Sequence, residues 1–275
     1  MKVPEGVRWR LALAEEKIVN WMARRSRASN WGARFRRYAR VMDPGGEGAR
    51  SIHNPHLGQL LALLKRAQFE PRHIVDIGAN RGNWTREVRK SFPDASFTLF
   101  EPQPKLREAM ADLLVDGSRV ELNTMGVGRE SGEMMFTLHE RDDSSSFAWT
   151  PERAKERGFK QISVPVTTLD AYLAQRQKPW PDIIKIDAEG WDLEVLEGAA
   201  EALSHAGVVL IEAAVGNQSF PNTLLKVCTA MDRLDYRLLD LTDLNRTPGG
   251  KVLWLVELAF VKKGSALDGF AGRYG

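Results

Sequence analysis

The stretch HIVDIGANRG at residues 73–82 decides the fold of this chain. It reads as a short apolar strand, a tight glycine turn and the start of a helix. A second apolar strand ends in FEP at residues 100–102, which puts Glu101 directly after that strand. A glycine turn lets backbone N–H groups approach a ligand, and an acid after the next strand accepts hydrogen bonds from ribose hydroxyls. The pattern therefore predicts a site for a cofactor that contains a nucleoside.

The residues inside the turn indicate which cofactor it holds. Dinucleotide-binding proteins carry GxGxxG here, so that a helix N-terminus meets a pyrophosphate. In this chain Asp76 precedes Gly78 by two residues, and Asn80 stands where a second glycine would be. A carboxylate there repels a pyrophosphate but suits the cationic tail of S-adenosylmethionine (SAM). We expect Asp76 and Asn80 to bind the methionine end of SAM and Glu101 to bind its ribose, with Gly78 and Gly82 allowing the close turn.

Apolar strand patterns alternate with helical patterns from residue 57 onward, which predicts a mostly parallel sheet covered on both faces. The last two strands, joined by a turn at residues 245–250, predict an antiparallel edge. The predicted strands lie near residues 73–78, 96–101, 119–123, 134–139, 161–166, 182–187, 208–212, 236–241 and 252–261. The predicted helices lie near residues 57–68, 82–91, 104–115, 193–202 and 222–234.

A second motif, IKIDAEGWDLEVLEGA at residues 184–199, reads as a strand, a sharp turn and a helix with Asp192 as its N-cap. Asp187 and Glu189 follow the strand, at the edge of the sheet where open α/β folds bind ligands. We therefore expect both carboxylates near the cofactor turn, as candidates for a catalytic base. Lys185, on the same strand face as Asp187, would orient that carboxylate or offset its charge. The alternatives are carboxylates that bind a divalent ion, or solvated carboxylates beside an N-cap.

These motifs together resemble the FkbM family of SAM-dependent methyltransferases. The resemblance covers roughly residues 70–215, and its blocks occur in the family's order: residues 75–82, 100–102, 126–132, 144–146, 184–190, 195–199 and 211–212. It implies a class I (Rossmann-like) methyltransferase fold, a mostly parallel seven-stranded sheet with an antiparallel edge strand. It also implies transfer of a methyl group from SAM to a hydroxyl of a sugar, a glycolipid or a polyketide-like small molecule.

The acceptor-binding residues are less sharply marked by the sequence. Ser144 and Ser145 lie in a polar loop over residues 141–159, and long loops in compact domains tend to carry sites, so this loop is a candidate lid over the acceptor. Glu212, after a later strand, and His139, before the loop, are further candidates to contact the acceptor or serve as base. The sequence does not decide whether a metal ion takes part.

Two other functions compete with methyl transfer. A nicotinamide-dependent oxidoreductase or epimerase would carry a Tyr-x-x-x-Lys pair, and the sequence contains none. A non-catalytic scaffold or membrane-associated protein of the same fold is the other alternative. The acidic residues of both motifs are present in this chain, which argues against a site that has lost its function.

The first fifty residues differ from the rest in charge. Residues 1–50 hold 12 Lys/Arg and 5 Asp/Glu, whereas the whole chain of 275 residues has a net charge of only +3. We predict a basic α-helical N-terminal extension and linker at residues 1–50, a methyltransferase domain at 51–265 and a C-terminal tail at 266–275. The extension would pack on the domain or a partner copy, or lie on an anionic membrane surface. The rest of the chain has no basic, aromatic-interleaved face, so no nucleic-acid partner is expected.

The composition predicts a cytoplasmic protein. The chain has one cysteine, which excludes a disulfide framework, and no apolar run of the eighteen residues that a membrane span needs. Its first 23 residues lack the apolar segment of a secretory signal. A peripheral position at the inner face of the membrane is the alternative, because it would use the basic extension.

Overall fold

The computed structural model describes residues 55–115, 119–247 and 250–272. The predicted extension at residues 1–50 lies outside these ranges. The described strands are β1 (His73–Ile77), β2 (Ser96–Phe100), β3 (Val120–Asn123), β4 (Gly126–Val127), β5 (Gly132–Leu138), β6 (Lys160–Thr167), β7 (Ile183–Ile186), β8 (Val208–Ala214), β9 (Tyr236–Arg246) and β10 (Leu253–Lys262). The described helices are α1 (Pro55–Arg66), α2 (Asn83–Ser91), α3 (Pro151–Glu156), α4 (Leu169–Gln175), α5 (Asp192–Glu197), α6 (Ala200–His205), α7 (Leu224–Arg233) and α8 (Ala266–Ala271).

Seven strands form the main sheet, in the order β3-β2-β1-β7-β8-β10-β9. The first five are mutually parallel, and β10 is antiparallel to both of its neighbours. The strand order reverses beside β1, where Ile77 pairs with Phe100 of β2 on one side and with Ile186 of β7 on the other. The topology confirms the predicted class I (Rossmann-like) fold with its antiparallel edge. In such sheets, ligands bind beyond the carboxyl ends of the strands at this reversal.

The core consists of two apolar layers, one on each face of the main sheet. Every residue of β1 is buried, because helices cover both of its faces. Leu60 and Leu64 of α1 and Val88 of α2 pack on one face. Leu196 of α5 and Met231 of α7 pack on the other. Removal of this apolar surface from water provides the main driving force for folding and makes the central strands a rigid base for the loops at their ends.

A second, three-stranded sheet has the order β4-β6-β5. It confirms the two extra strands predicted around residues 134–166, which form an antiparallel pair. The connection between them is not a plain loop, because it contains α3. Thr150 caps this helix by accepting a hydrogen bond from the backbone N–H of Arg153. The sequence reasoning missed both α3 and α4, and it missed α8 within the predicted tail.

One predicted helix is wrong, that at residues 104–115. The segment instead forms two short 3₁₀ turns, Pro104–Leu106 and Glu108–Met110. Its apolar spacing is helical, but the segment packs against α2, where the guanidinium of Arg86 donates to the carbonyl oxygen of Ala109 at 2.7 Å. Tertiary contacts therefore override the local pattern here.

A second predicted helix, that at residues 193–202, is divided in two. The break lies at Gly198, where an added Cβ would lie 2.0 Å from the carbonyl oxygen of Gly128. The chain begins again as α6, whose first turn is capped by Asp170: its carboxylate accepts hydrogen bonds from the N–H groups of Glu201 and Ala202. The close approach of Gly128 and the cap from a distant residue give the physical reason for the break.

Among the described helices, none combines the length and the apolar character that crossing a bilayer would require.

Candidate active site

The turn after β1 is held tightly against the neighbouring strand ends. The N–H groups of Gly78 and Ala79 both donate to the carbonyl oxygen of Phe100 at 3.0 Å. Gly78 has φ +77°, and an added Cβ there would lie 1.8 Å from the backbone oxygen of Asp187. Asn80 also has a positive φ, of 48°. The predicted glycine turn is therefore present, and it packs directly on the loop that follows β7.

Glu101 joins this turn to the end of β2. One carboxylate oxygen accepts a hydrogen bond from the N–H of Asn80 and the other accepts one from the N–H of Gln103, each at 2.8 Å. The residue is only 4% exposed, and burial raises the pKa of its carboxyl to about 7 despite these hydrogen bonds. A carboxylate has further lone pairs, so Glu101 keeps acceptor capacity toward the space it faces.

Asp76 and Lys185 lie behind the turn and stabilise it. Asp76 is fully buried and accepts a hydrogen bond from the Thr85 hydroxyl at 2.5 Å. The Lys185 ammonium lies 3.5 Å from Asp76, 3.0 Å from Asp187 and 3.2 Å from the carbonyl oxygen of Gly78. Burial disfavours its charged form, but the charges of Asp187 and Asp76 outweigh burial and raise the pKa of Lys185. Lys185 thus stabilises the ends of β1 and β7 together.

The loop after β7 is held in a strained conformation by Asp192. Glu189 has φ +51°, a region that side-chain-bearing residues rarely adopt, and Gly190 follows at +92°. The buried Asp192 carboxylate accepts hydrogen bonds from the N–H groups of Ala188 and Gly190 and from the side chain of Asn222, at 3.0, 3.1 and 2.7 Å. The prediction that Asp192 is an N-cap is wrong: it is the first residue of α5 and organises the loop before it.

Removing Asp192 is expected to loosen this loop. Asp192→Ala leaves two backbone N–H groups and an amide without their acceptor, which should lower the free energy of unfolding by about 2–3 kcal/mol. The matched control is Glu197→Ala, an exposed position on the same helix, which should change it by less than about 0.5 kcal/mol. Urea unfolding followed by fluorescence measures both. Equal midpoints for Asp192→Ala and the parent would contradict this role.

Three carboxylates converge beside the turn, and we call them the acid trio: Asp187, Glu189 and Glu212. One oxygen from each lies within 4.8 Å of the others. Asp187 and Glu189 come from the loop after β7, and Glu212 comes from the adjacent strand β8. Burial, followed by the charge of Asp187, raises the pKa of Glu189 and of Glu212 well above the usual value. The trio therefore has the chemistry of a proton acceptor or of a metal ligand set.

A cavity that opens to solvent is lined by the glycine turn and by two members of the acid trio, Asp187 and Glu189. The predicted site residues that line it are Gly78, Asn80, Glu101, Ser145, Asp187 and Glu189. It is also lined by Asp142 and Asp143 of the predicted loop at residues 141–159, and by Gln103, Phe136 and Phe147, which the sequence reasoning did not select. The apolar members of that set carry no sequence signal, because only the fold directs them inward.

Six of the predicted site residues do not line the cavity: Asp76, Gly82, Lys185, Glu212, Ser144 and His139. Asp76 lies behind the turn, so its expected contact with the methionine end of a cofactor stays a prediction. Gly82 packs under Leu113 of the segment that follows Glu101, since an added Cβ would lie 2.6 Å from Leu113 Cδ1. Lys185 and Glu212 contact the cavity-lining residues from behind.

The polar loop over residues 141–159, which we call the serine loop, contacts the site through Ser145 and Ser146. Ser145 lines the cavity, whereas Ser144 does not. Ser146 donates a hydrogen bond to the carbonyl oxygen of Glu189 at 2.6 Å and so connects this loop to the strained loop. His139 lies outside the lining, with its ring 4.0 Å from that of Phe159, and burial lowers its pKa. Its predicted role as a base therefore has less geometric support than that of Glu189.

Comparison with known proteins identifies the family of this chain. The sequence pattern of the methyltransferase FkbM domain matches residues 76–238, more than half of the chain. The chain belongs to the FkbM methyltransferase family. The FkbM match begins at Asp76 and includes the cofactor turn, the serine loop and the acid trio.

Two curated relatives carry methyltransferase names. The chain is 23% identical to "Methyltransferase 1" of Beauveria bassiana over 46% of its own length and 57% of the relative's. It is 24% identical to the hexuronic acid methyltransferase AglP of Haloferax volcanii over 57% of its own length and 62% of the relative's. The matched parts thus span about three fifths of each relative. Among solved structures, magnesium protoporphyrin IX methyltransferase of Synechocystis PCC 6803 with bound SAM is 11% identical, with a TM-score of 0.44 over 90% of this chain and 96% of that one.

Proposed function

We propose that this FkbM protein transfers a methyl group from SAM to a hydroxyl of a sugar or a related small molecule. The observation that carries the proposal is a cavity whose lining includes both the glycine turn with Glu101 and the carboxylates of Asp187 and Glu189. A cofactor contacting the turn and Glu101 would therefore present its reactive end near these two carboxylates.

The expected reaction is an in-line displacement. The bond from the acceptor oxygen to the methyl carbon forms as the bond from that carbon to sulfur breaks, and its electron pair stays on sulfur. The hydroxyl proton passes to a carboxylate oxygen of Asp187 or Glu189. Proton removal by a positioned base contributes about 10²–10⁴-fold in rate, and alignment of the three reacting atoms contributes up to about 7–11 kcal/mol. Among the described residues, Asp187 forms an ion pair with Lys185, whereas Glu189 forms none. Because no described residue forms an ion pair with its carboxylate, Glu189 is the better acceptor for the proton.

The SAM subsite follows from the backbone geometry. Glu101 would accept hydrogen bonds from the ribose hydroxyls, and the turn at Gly78 and Asn80 would bring the backbone close to the amino-acid end of SAM. A dinucleotide would instead place a pyrophosphate beside this turn, where Glu101 and Asp187 add negative charge. This charge disfavours the oxidoreductase alternative.

The acceptor class is proposed on two grounds. The matched relative AglP is named a hexuronic acid methyltransferase, and a sugar hydroxyl is a poor nucleophile that needs a base such as the trio offers. Ser145, Asp142 and Asp143 line the acceptor side with polar groups that can bind hydroxyls. We propose a glycan, a lipid-linked sugar or a small polar molecule as the acceptor, and a peripheral membrane contact through residues 1–50 remains part of this proposal.

Calorimetric titration with SAM, with NAD in parallel, tests the cofactor. We expect saturable binding of one SAM per chain and no heat from NAD, because the turn suits a cationic tail and not a pyrophosphate. A hexuronic acid sugar added to the SAM complex should then yield S-adenosylhomocysteine, measured by mass spectrometry. A folded protein that binds neither cofactor would favour the scaffold alternative, and one that binds only NAD would reject the proposal.

A further inference from the structure

The acid trio lacks the partners that three neighbouring carboxylates require. The ion pair recorded for it among the described residues joins Lys185 to Asp187 at 3.0 Å, and the same ammonium also lies 3.5 Å from Asp76. The Lys185 ammonium is therefore shared between the trio and a further buried carboxylate, and the exposed guanidinium of Arg141 also interacts electrostatically with Glu189. A buried charge without a counterion or a hydrogen bond is costly.

Glu212 shows most directly that a partner is missing. Its Oε2 atom is buried, and in the described part of the chain no hydrogen-bond donor reaches it. The side chain extends from β8 toward Asp187 and Glu189, whose oxygens lie within 4.8 Å of its own. A buried carboxylate oxygen without a partner, on a side chain that lies beside two other carboxylates, is a group that a bound cation would satisfy.

We propose that Asp187, Glu189 and Glu212 bind a divalent cation of the Mg²⁺ or Mn²⁺ class. Such ions take carboxylate oxygens at about 2.1 Å in near-octahedral geometry, so neighbouring and opposite ligand oxygens are separated by about 3.0 and 4.2 Å. The oxygens of the trio lie within 4.8 Å of one another, so a contraction of at most about 1.8 Å brings them to the spacing of neighbouring ligands. Carboxylate oxygens are hard ligands, and the set contains no imidazole or thiolate of the kind that selects zinc or copper.

Two of the three ligands line the cavity, so the remaining positions around the cation would face the acceptor. A bound divalent cation supplies positive charge that lowers the pKa of a coordinated hydroxyl. This use of the site rests on the proposed methyl transfer, whereas binding of the ion itself does not. Lys185 and Asp192 would keep Asp187 and Glu189 in position.

Titration with Mn²⁺, followed by electron paramagnetic resonance, tests the site in the full chain after treatment with a chelator and desalting. We expect one saturable Mn²⁺ site per chain, from which Mg²⁺ displaces the ion. Glu212→Gln, which keeps the side-chain volume but removes one charged ligand, should weaken Mn²⁺ binding at least about tenfold. The matched control is Glu197→Gln. Glu197 is exposed on α5 and lies outside the trio, so this variant should bind Mn²⁺ within about twofold of the parent.

Two results would reject the cation site. No saturable binding up to about 1 mM Mn²⁺, the weak end of oxygen-ligand sites, rejects it, as does parental affinity in Glu212→Gln. Thermal unfolding checks that each variant is folded, and Glu189→Gln provides a second ligand variant. SAM calorimetry on the metal-free protein separates the two proposals. SAM binding without Mn²⁺ binding rejects only the cation, and the converse rejects only methyl transfer from SAM.

Discussion

Glu101→Gln is expected to weaken SAM binding at least tenfold. Both carboxylate oxygens of Glu101 accept backbone N–H groups, from Asn80 and Gln103. A glutamine must turn its NH₂ group toward one of these donors, and it also loses the charge that strengthens hydrogen bonds from the ribose. A hydrogen bond to a charged group contributes about 1.5–3 kcal/mol, which is roughly a tenfold to hundredfold change in affinity. Calorimetry near pH 8 measures the change.

The pH dependence of the same binding provides an internal check. Burial raises the pKa of Glu101 to about 7, and its ionised form is the one that accepts the ribose hydrogen bonds. Lowering the pH protonates the carboxylate, so the parent should bind SAM about tenfold more weakly near pH 6 than near pH 8. In Glu101→Gln this difference should be absent. Glu152→Gln, at an exposed position on α3, is the matched control and should follow the parent at both pH values. Parental affinity in Glu101→Gln would remove Glu101 from the cofactor site.

Gly78→Ala is expected to have the largest effect on stability. The new Cβ would lie 1.8 Å from the backbone oxygen of Asp187. Both residues directly follow the central strands β1 and β7, whose ends cannot separate without breaking the hydrogen bond from Asp187 N–H to the carbonyl oxygen of Ile77. The positive φ of Gly78 adds backbone strain in any residue with a side chain. We expect a loss of about 3–5 kcal/mol in the free energy of unfolding, or failure to fold.

The control for that variant is Gly58→Ala. Gly58 lies in α1, and an added Cβ there meets nothing within 4 Å. Because alanine has the higher helix propensity, this variant should be as stable as the parent or up to about 1 kcal/mol more stable. Urea midpoints and soluble yields of both variants and the parent, measured side by side, test this prediction. If Gly78→Ala unfolds at the parental midpoint, the close packing of the turn on the loop after β7 is wrong.

The sequence was sufficient to predict the main sheet and the turn at Gly78. Central strands of a parallel sheet are buried on both faces, so they appear as continuous apolar runs, and a glycine at a strand end marks a turn that side chains would obstruct. The positions of Glu101 and Asp187 were predictable because both directly follow parallel strands, and open α/β sheets bind ligands beyond the carboxyl ends of such strands. Local pattern and global fold agree at these positions.

The residues that the sequence misplaced depend on distant partners. Asp192 could not be recognised as the organiser of the strained loop, because this role requires Asn222, which lies thirty residues later in the chain. The 3₁₀ segment after Glu101 accepts a hydrogen bond from the guanidinium of Arg86, a contact that the local pattern does not reveal. Glu212 was expected at a strand end, but its position within 4.8 Å of Glu189 arises only when β7 and β8 pair. Spacing along the chain does not encode such convergence.

The two walls of the cavity belong to two separately hydrogen-bonded sheets. The turn at Gly78, Glu101 and Asp187 follow strands of the main sheet, whereas Phe136 and the serine loop come from the small sheet. The strand pair β5 and β6 can therefore be shortened, extended or exchanged without breaking a hydrogen bond between main-sheet strands. A protein engineer who seeks a new acceptor specificity would therefore vary β5 and β6 and leave the parallel strands of the main sheet unchanged.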